Sequence, residues 1–230
     1  MRLFSRLLSI LLVVSIPLFL VTTAVVWAVN DLRFYNYEFQ LQKVAQDTGM
    51  SEEELLNVAR RIRGYFNSRQ EPLSVRAVVE GHERDLFNQR EVQHMADVKR
   101  LIWGVYGVQW ASFAYILGWS VVGLARPGCR VLRRGGTLVL WGCALTVAFV
   151  AAVGLAAWVD FDSLFVLFHR LSFANTLWQL DPARDYLIRV FPERFWSDVT
   201  FFIGLTTVAM ALVLGTATGV WLGVSRGRRA

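Results

Sequence analysis

"NQREVQHMADVKRLIWGVYGVQWASFAYILGWSVVGLA", residues 88–125, changes character once, after Arg100, and shows no break where it does so. Asn88 and Glu91 form a capping pair, the signature of a helix start, and nothing interrupts the helix before Leu101. From Leu101 to Ala125 there is no charged residue. A helix needs about 20 apolar residues to cross ~30 Å of hydrocarbon, and it satisfies its own backbone hydrogen bonds there. The stretch therefore predicts one helix that crosses a membrane and continues beyond it as a polar rod. His94 lies about two turns, ~10 Å, above the start of the apolar run.

Three further runs lack any charge: Leu7–Asn30, Gly135–Val159 and Val199–Ser225. The expected fold is an all-α membrane protein with four transmembrane helices, at about 7–30, 101–125, 135–159 and 199–224, in a single membrane domain covering 1–230. The basic start "MRLFSR" also suits a signal peptide, but the apolar run after it far exceeds the usual h-region of about 7–15 residues. A retained anchor is the favoured reading.

Charge sets the orientation. The N-terminus, the 126–134 loop and the C-terminal tail hold Arg2, Arg6, Arg126, Arg130, Arg133, Arg134, Arg226, Arg228 and Arg229 and no acid, while all 18 Asp and Glu fall in 31–100 and 160–198. Cations in short loops mark the cytoplasmic side. Both termini and the 126–134 loop are thus expected in the cytoplasm, with 31–100 and 160–198 extracytoplasmic. The net charge of +6 is accounted for by the anionic leaflet and calls for no nucleic acid. Trp27, Trp103, Trp119, Trp158, Trp196 and Trp221 lie near the expected span ends, where an aromatic belt belongs.

Within 31–100, "SEEELLNVARRIRGYF" opens with Ser51 and Glu54 as a capping box and repeats apolar residues at helical spacing, predicting a helix over Glu52–Asn67. "EPLSVRAVV" reads as extended or turn-like, and His82 as a solvated loop residue. In 160–198, Leu164, Phe165, Phe168 and Leu171 share a face that suits a helix lying in the membrane interface. "DPARDYLIRV" places Asp181 at an N-cap and Pro182 at the first helical position, with Pro192 closing that helix.

Function classes narrow by elimination. No span contains Asp, Glu, Lys, Arg or His, which argues against a transporter. Cys129 and Cys143 both fall outside the two polar segments, so neither segment offers a thiol nucleophile. Ser172 has no G-x-S-x-G elbow around it. The three histidines, His82, His94 and His169, remain as groups that titrate near neutrality. His94 has Glu91 and Asp97 a turn away on either side, close enough to orient an imidazole. His169 stands among Phe165, Val166 and Phe173, a half-dry setting that disfavours its charged form. A zinc site from Glu91, His94, Asp97 and His169 would lack the dense His/Cys signature such sites carry; no metal and no cofactor is expected.

Two stretches carry a resemblance: "REVQHMADVK" running into the second span, and "FHRLSFANTLWQLDPARDYLIRVFPERFWSD" between the third and fourth. With the basic-in, four-span layout they resemble the bacterial lipoprotein intramolecular transacylase family. Residues 31–87 match it only in position and length, and His82 lies outside its motifs. The resemblance implies transfer of an acyl chain from the glyceryl ester of a diacylglyceryl-modified lipoprotein to the α-amino group of its N-terminal cysteine, giving a lyso-lipoprotein. It implies His169 as general base and His94 as acid or proton-shuttle partner, with Glu91 and Asp97 orienting His94. It makes Arg170, Asn175 and Trp178 candidates for stabilising the oxyanion or holding the substrate. The implied setting is a bacterial cell membrane with phospholipid around the site, which faces the extracytoplasmic side. The alternative is a non-catalytic membrane module that binds lipid or lipoprotein.

Overall fold

The computed structural model describes residues 2–125 and 129–227; Arg126, Arg228 and Arg229, counted above among the cations, lie outside them. The chain runs α1 (Arg2–Asn30), α2 (Leu32–Leu41), α3 (Val44–Thr48), α4 (Glu52–Phe66), β1 (Arg76–Val79), β2 (His82–Asp85), α5 (Gln89–Ala125), α6 (Cys129–Val159), α7 (Phe161–Ser172), α8 (Tyr186–Val190) and α9 (Glu193–Gly227). By length and composition α1, α5, α6 and α9 can each cross a membrane, as the four uncharged runs require. α5 is unbroken from Gln89, and helix α6 already begins at Cys129, inside the stretch expected to be loop.

The contacts divide the chain into two compact units, an apolar one of 1–26, 105–155 and 201–230 and a polar one of 27–104 and 156–200. In the apolar unit Ile16, Leu20, Cys143 and Ala211 pack into a core. Gly142 explains how closely α1 and α6 approach: a Cβ there would lie 2.6 Å from Cβ of Ile16. Small residues at such crossings let backbones pack where no hydrophobic effect drives association. A few polar contacts add to this packing, among them Gln109 Nε2 donating to Thr23 Oγ1 at 3.1 Å and the Tyr115 hydroxyl donating to the Leu8 carbonyl at 2.8 Å.

The polar unit is built on α4. Leu55, Val58, Ala59, Ile62, Tyr65 and Phe66 are buried on one face, and Ser51 Oγ accepts from the Glu54 amide at 3.2 Å as an N-cap. The Glu54 carboxylate does not close the box on Ser51; it accepts from the Val78 amide at 3.2 Å. That contact belongs to a hairpin: β1 lies in the stretch expected to be extended or turn-like, and the correction is that His82, expected in a loop, lies in a strand. β1 and β2 form an antiparallel hairpin with Val79 opposite His82, and His82 is solvated as expected. The turn places both Glu80 (φ 51°) and Gly81 (φ 81°) in the left-handed region, as a type I′ hairpin requires. The Glu80 amide donates to the Gly49 carbonyl at 2.9 Å, tying the tip to the end of α3.

Helices α2 and α3 go beyond the sequence reading. α2 buries Tyr35, Glu38 and Phe39, and these two buried aromatics join Phe191 and Phe195 in ring contacts between 5.8 and 6.3 Å. A second correction concerns 181–190. Asp181 caps only a turn, its Oδ1 accepting from the Ala183 amide at 2.9 Å, and the helix starts at Tyr186 after an extended Asp185 (φ −103°, ψ 126°). It ends before Pro192, with Phe191 out of the helical region (φ −123°, ψ 74°), since a following proline disfavours the α conformation. α7 forms as expected, capped by Asp160, whose side chain accepts from the Ser163 amide at 3.0 Å. Leu167, Phe168 and Leu171 are exposed on it while His169 is buried.

Candidate active site

The site lies within the polar unit and starts from the first turns of α5. Asn88 Oδ1 accepts from the Glu91 amide at 3.1 Å, and Glu91 Oε2 accepts from the Asn88 amide at 2.7 Å. This is the reciprocal capping box read from the sequence. The second Glu91 oxygen accepts from the Leu187 amide at 2.6 Å, which fixes the start of α8. Burial pushes the Glu91 carboxyl pKa up, and the amides of Leu187 and Asn88 oppose the shift. Glu91 therefore anchors two chain segments and makes no hydrogen bond to His94, a correction to its expected role.

Asp97, two turns on, also reaches across. Its Oδ2 accepts from Asn175 Nδ2 at 2.8 Å and its Oδ1 pairs with Arg100. It too leaves the imidazole without a hydrogen bond and acts on His94 only through its charge. Arg90 Nη2 donates to the Thr176 carbonyl at 2.8 Å, and Asn88 Nδ2 donates to Asp185 Oδ1 at 2.7 Å. Four residues of one helix start thus hold the segment that follows α7.

That docking brings the two histidines together. The His94 and His169 rings lie 6.1 Å apart, centroid to centroid, with planes 33° from parallel. His94 is 6% and His169 7% exposed. Phe173 touches both, at 5.2 Å from His94 and 5.7 Å from His169. Trp178 lies 4.9 Å and Phe165 4.2 Å from His169. Phe173, within the second motif but not singled out as a site residue, is the wall the two imidazoles share.

His169 Nδ1 is 2.8 Å from the Phe165 carbonyl one turn back. A carbonyl only accepts, so Nδ1 carries the proton and the Nε2 lone pair is left available. His94 Nδ1 is buried and has no hydrogen-bond partner among the described residues, a position that a substrate group or water would satisfy. Burial, then the neighbouring His169, lowers the His94 pKa to about 4, with Asp97 opposing. Burial lowers His169 as well, opposed by the Phe165 carbonyl. Both rings are neutral at neutral pH.

Asn175 and Trp178 shape the wall. Asn175 Oδ1 accepts from the Leu177 amide at 3.0 Å, and its carbonyl accepts from Trp178 Nε1 at 3.0 Å. Arg170 is exposed and has no hydrogen bond or ion pair among the described residues. Of the expected site residues, His94, His169, Asp97, Asn175 and Trp178 form one connected cluster. Glu91 supports it from a turn away, Arg170 stands outside it, and His82 lies exposed in β2. Among the described residues no three His, Cys, Asp or Glu side chains are grouped to hold a metal ion.

The depressed His94 pKa has a measurable consequence. An unfolded imidazole protonates near pH 6.5, whereas His94 in the fold does so near pH 4. The stabilisation that depends on a neutral His94 is complete above about pH 6.5 and is lost as pH falls from there toward 4. In ¹⁵N-histidine-labelled protein in micelles, His94 should give a neutral-imidazole spectrum at pH 5.5. An imidazolium spectrum for His94 at that pH would contradict the buried site.

The model of the family described as lipoprotein intramolecular transacylase Lit matches residues 10–196. An uncharacterised protein of Aquifex aeolicus (strain VF5) is 25% identical over 211 residues, covering 91% of this chain and 92% of its own. The structure of the membrane integral lipoprotein intramolecular transacylase Lit from Bacillus cereus aligns over 100% of both chains with a TM-score of 0.79 at 20% identity. A variant of that protein with one histidine replaced by arginine aligns at 0.78, also 20% identical, over 99% of this chain and 95% of its own. The likeness to these structures is one of fold. Matched by the family model from the first span to the start of the last, the chain belongs to the lipoprotein intramolecular transacylase family and is an acyl-transferring membrane enzyme.

Proposed function

We propose that this enzyme moves an acyl chain from the glyceryl ester of a diacylglyceryl lipoprotein to the α-amino group of the same molecule's N-terminal cysteine, with His169 and His94 handling the protons. One observation carries the reading: two buried imidazoles 6.1 Å apart, one held in the tautomer that offers Nε2 as an acceptor.

The acceptor is an α-ammonium with a pKa near 7.7–8.0, which must lose a proton to become a nucleophile. His169 Nε2 takes the N–H proton as the nitrogen attacks the ester carbonyl. The C–N bond forms and the tetrahedral intermediate collapses with cleavage of the glyceryl C–O bond. The departing oxygen takes up one proton, so from the free amine the products are an amide and a free glyceryl hydroxyl with no net change in protons, the proton first lost by the α-ammonium having gone to solvent. The imidazolium formed in between is poorly solvated and hence a strong acid, suited to protonating the leaving oxygen directly or through His94. Donor and acceptor share one molecule, so positioning can supply much of the rate, and no protein nucleophile is needed.

Asp97, Asn175 and Trp178 act as positioning residues in this scheme, and Glu91 as the anchor beneath them. Arg170, exposed beside His169, is suited to the polar substrate backbone or the developing oxyanion. Residues 31–100 and 160–198 face the outside of a bacterial cell membrane and both termini the cytoplasm, an orientation supported by the acid-free cationic side. Phospholipid surrounds the site, and the diacylglyceryl lipoprotein is the substrate.

Incubated with a diacylglyceryl lipoprotein, the enzyme should leave its total acyl mass unchanged while one chain becomes amide-linked and resistant to mild base. His169→Ala and His94→Ala should each lower turnover about 10²–10⁴-fold with normal amounts of protein in the membrane, and His82→Ala should match wild type. A mass increase of one acyl chain would make phospholipid the donor and overturn the intramolecular reading. For the orientation, an impermeant thiol reagent on intact cells should label Ser68→Cys and Arg184→Cys but not Arg133→Cys. The reverse pattern would invert the topology.

A further inference from the structure

We propose that the free edge of β2 is a docking strand for the polypeptide that follows the lipidated cysteine of the substrate, an inference that rests on the transacylase reading above. The hairpin register identifies the groups. Val79 and His82 flank a two-residue turn and are a hydrogen-bonded pair, so Ala77 and Arg84 are the next one. The Leu86 amide donating to the Val75 carbonyl at 2.9 Å continues the same alternation. The pairs between them, Val78 with Glu83 and Arg76 with Asp85, point their amides and carbonyls away from each other. On β1 the outward Val78 amide is taken by Glu54. On β2 the outward N–H and C=O groups of Glu83 and Asp85 have no hydrogen-bond partner among the described residues, and all four residues of the strand are exposed.

The edge is rigid and leads toward the histidines. Its turn is tied to Gly49, Arg84 lies over the Tyr186 ring at 5.2 Å, and three residues after Asp85 the chain enters the cap of α5. From Asp85 to His94 the backbone path is three extended residues and six helical ones, at most about 19 Å. An extended peptide covers that in about six residues. A substrate whose cysteine sits at the imidazoles therefore meets β2 with about its sixth to tenth residues, running from Asp85 toward His82 and so antiparallel to the strand. The side chains His82, Glu83, Arg84 and Asp85 keep strands in solution from adding at random. A chain held by its own lipid end adds as a tethered segment, at an effective concentration in the millimolar range. Backbone pairing of this kind is indifferent to sequence, which suits an enzyme acting on lipoproteins that differ beyond their cysteine.

The test uses diacylglyceryl-cysteine peptides of four and twelve residues with the full-length enzyme. Wild type should show a KM about tenfold lower for the longer peptide, the equivalent of one or two net backbone hydrogen bonds. Asp85→Pro removes one outward amide and no ladder bond, and with it the two peptides should become equivalent. With wild type, N-methylation at alternate residues within positions six to ten should raise KM about tenfold in one alternation and not in the other. Equal KM values for the two peptides on wild type, or equal effects of both methylation patterns, would overturn the docking strand while leaving transacylation intact. Turnover of neither peptide by wild type would overturn the transacylase reading and this proposal with it.

Discussion

Two carboxylates on the first turns of α5 hold the candidate site together. Glu91 accepts from the Leu187 amide and Asp97 from the Asn175 side chain, so the segment after α7 is docked at both ends on one rigid helix. Hydrogen bonds to charged groups contribute about 1.5–3 kcal/mol each, and leaving such a buried acceptor unmatched costs more than the bond returns. Docking satisfies the second oxygen of each carboxylate; without the segment Glu91 would keep only the Asn88 amide and Asp97 only Arg100. His94 lies between these anchors, and the docking that satisfies them also delivers His169 and Phe173 against it.

Drying the two imidazoles has a chemical purpose in this scheme. An exposed histidine would be the stronger base, but it would also hold its proton more firmly, as a solvated cation. In the pocket formed by Phe165, Phe173 and Trp178 the His169 cation is disfavoured by burial, and that of His94 by burial and by His169 alongside it. A base with these properties keeps its lone pair at neutral pH and releases the proton quickly once taken. That is what a transfer needing one proton moved from nitrogen to oxygen demands. The Phe165 carbonyl completes the arrangement by choosing the tautomer, a task that Glu91 and Asp97 leave to the backbone.

The spans were legible because no charge interrupts them and a lipid-exposed backbone has few alternatives to a helix. The cap at Asn88 and Glu91 was legible because it is local. What the sequence hid was everything decided at a distance. Asp181 and Pro182 look like a helix start, yet Asp185 has its carboxylate drawn to Asn88, 97 positions away, and to the Asp181 amide. This holds Asp185 extended and delays the helix to Tyr186. The hairpin was missed because Glu80 occupies a left-handed position usually given to Asn, Asp or Gly, leaving Gly81 as the one turn signal. α2 was missed because its buried face is aromatic and includes Glu38, so its pattern does not stand out as apolar. The pairing of His94 with His169 came from the family resemblance; spacing offers no route to it across 75 positions. Glu91 was read as a partner of the imidazole because a side chain one turn away is near enough, and only the fold reveals the stronger claim of the Leu187 amide.

The central claim is that the two histidines act as one unit in a single proton circuit. The most direct test compares the double variant His94→Ala/His169→Ala with each single variant in single-turnover transacylation of one lipoprotein. Residues that work as a unit are non-additive in their losses. The account predicts that the double variant is no slower than the slower single one, within about a factor of three. Losses that multiply in the double variant would mean that the histidines act independently and would contradict the shared circuit.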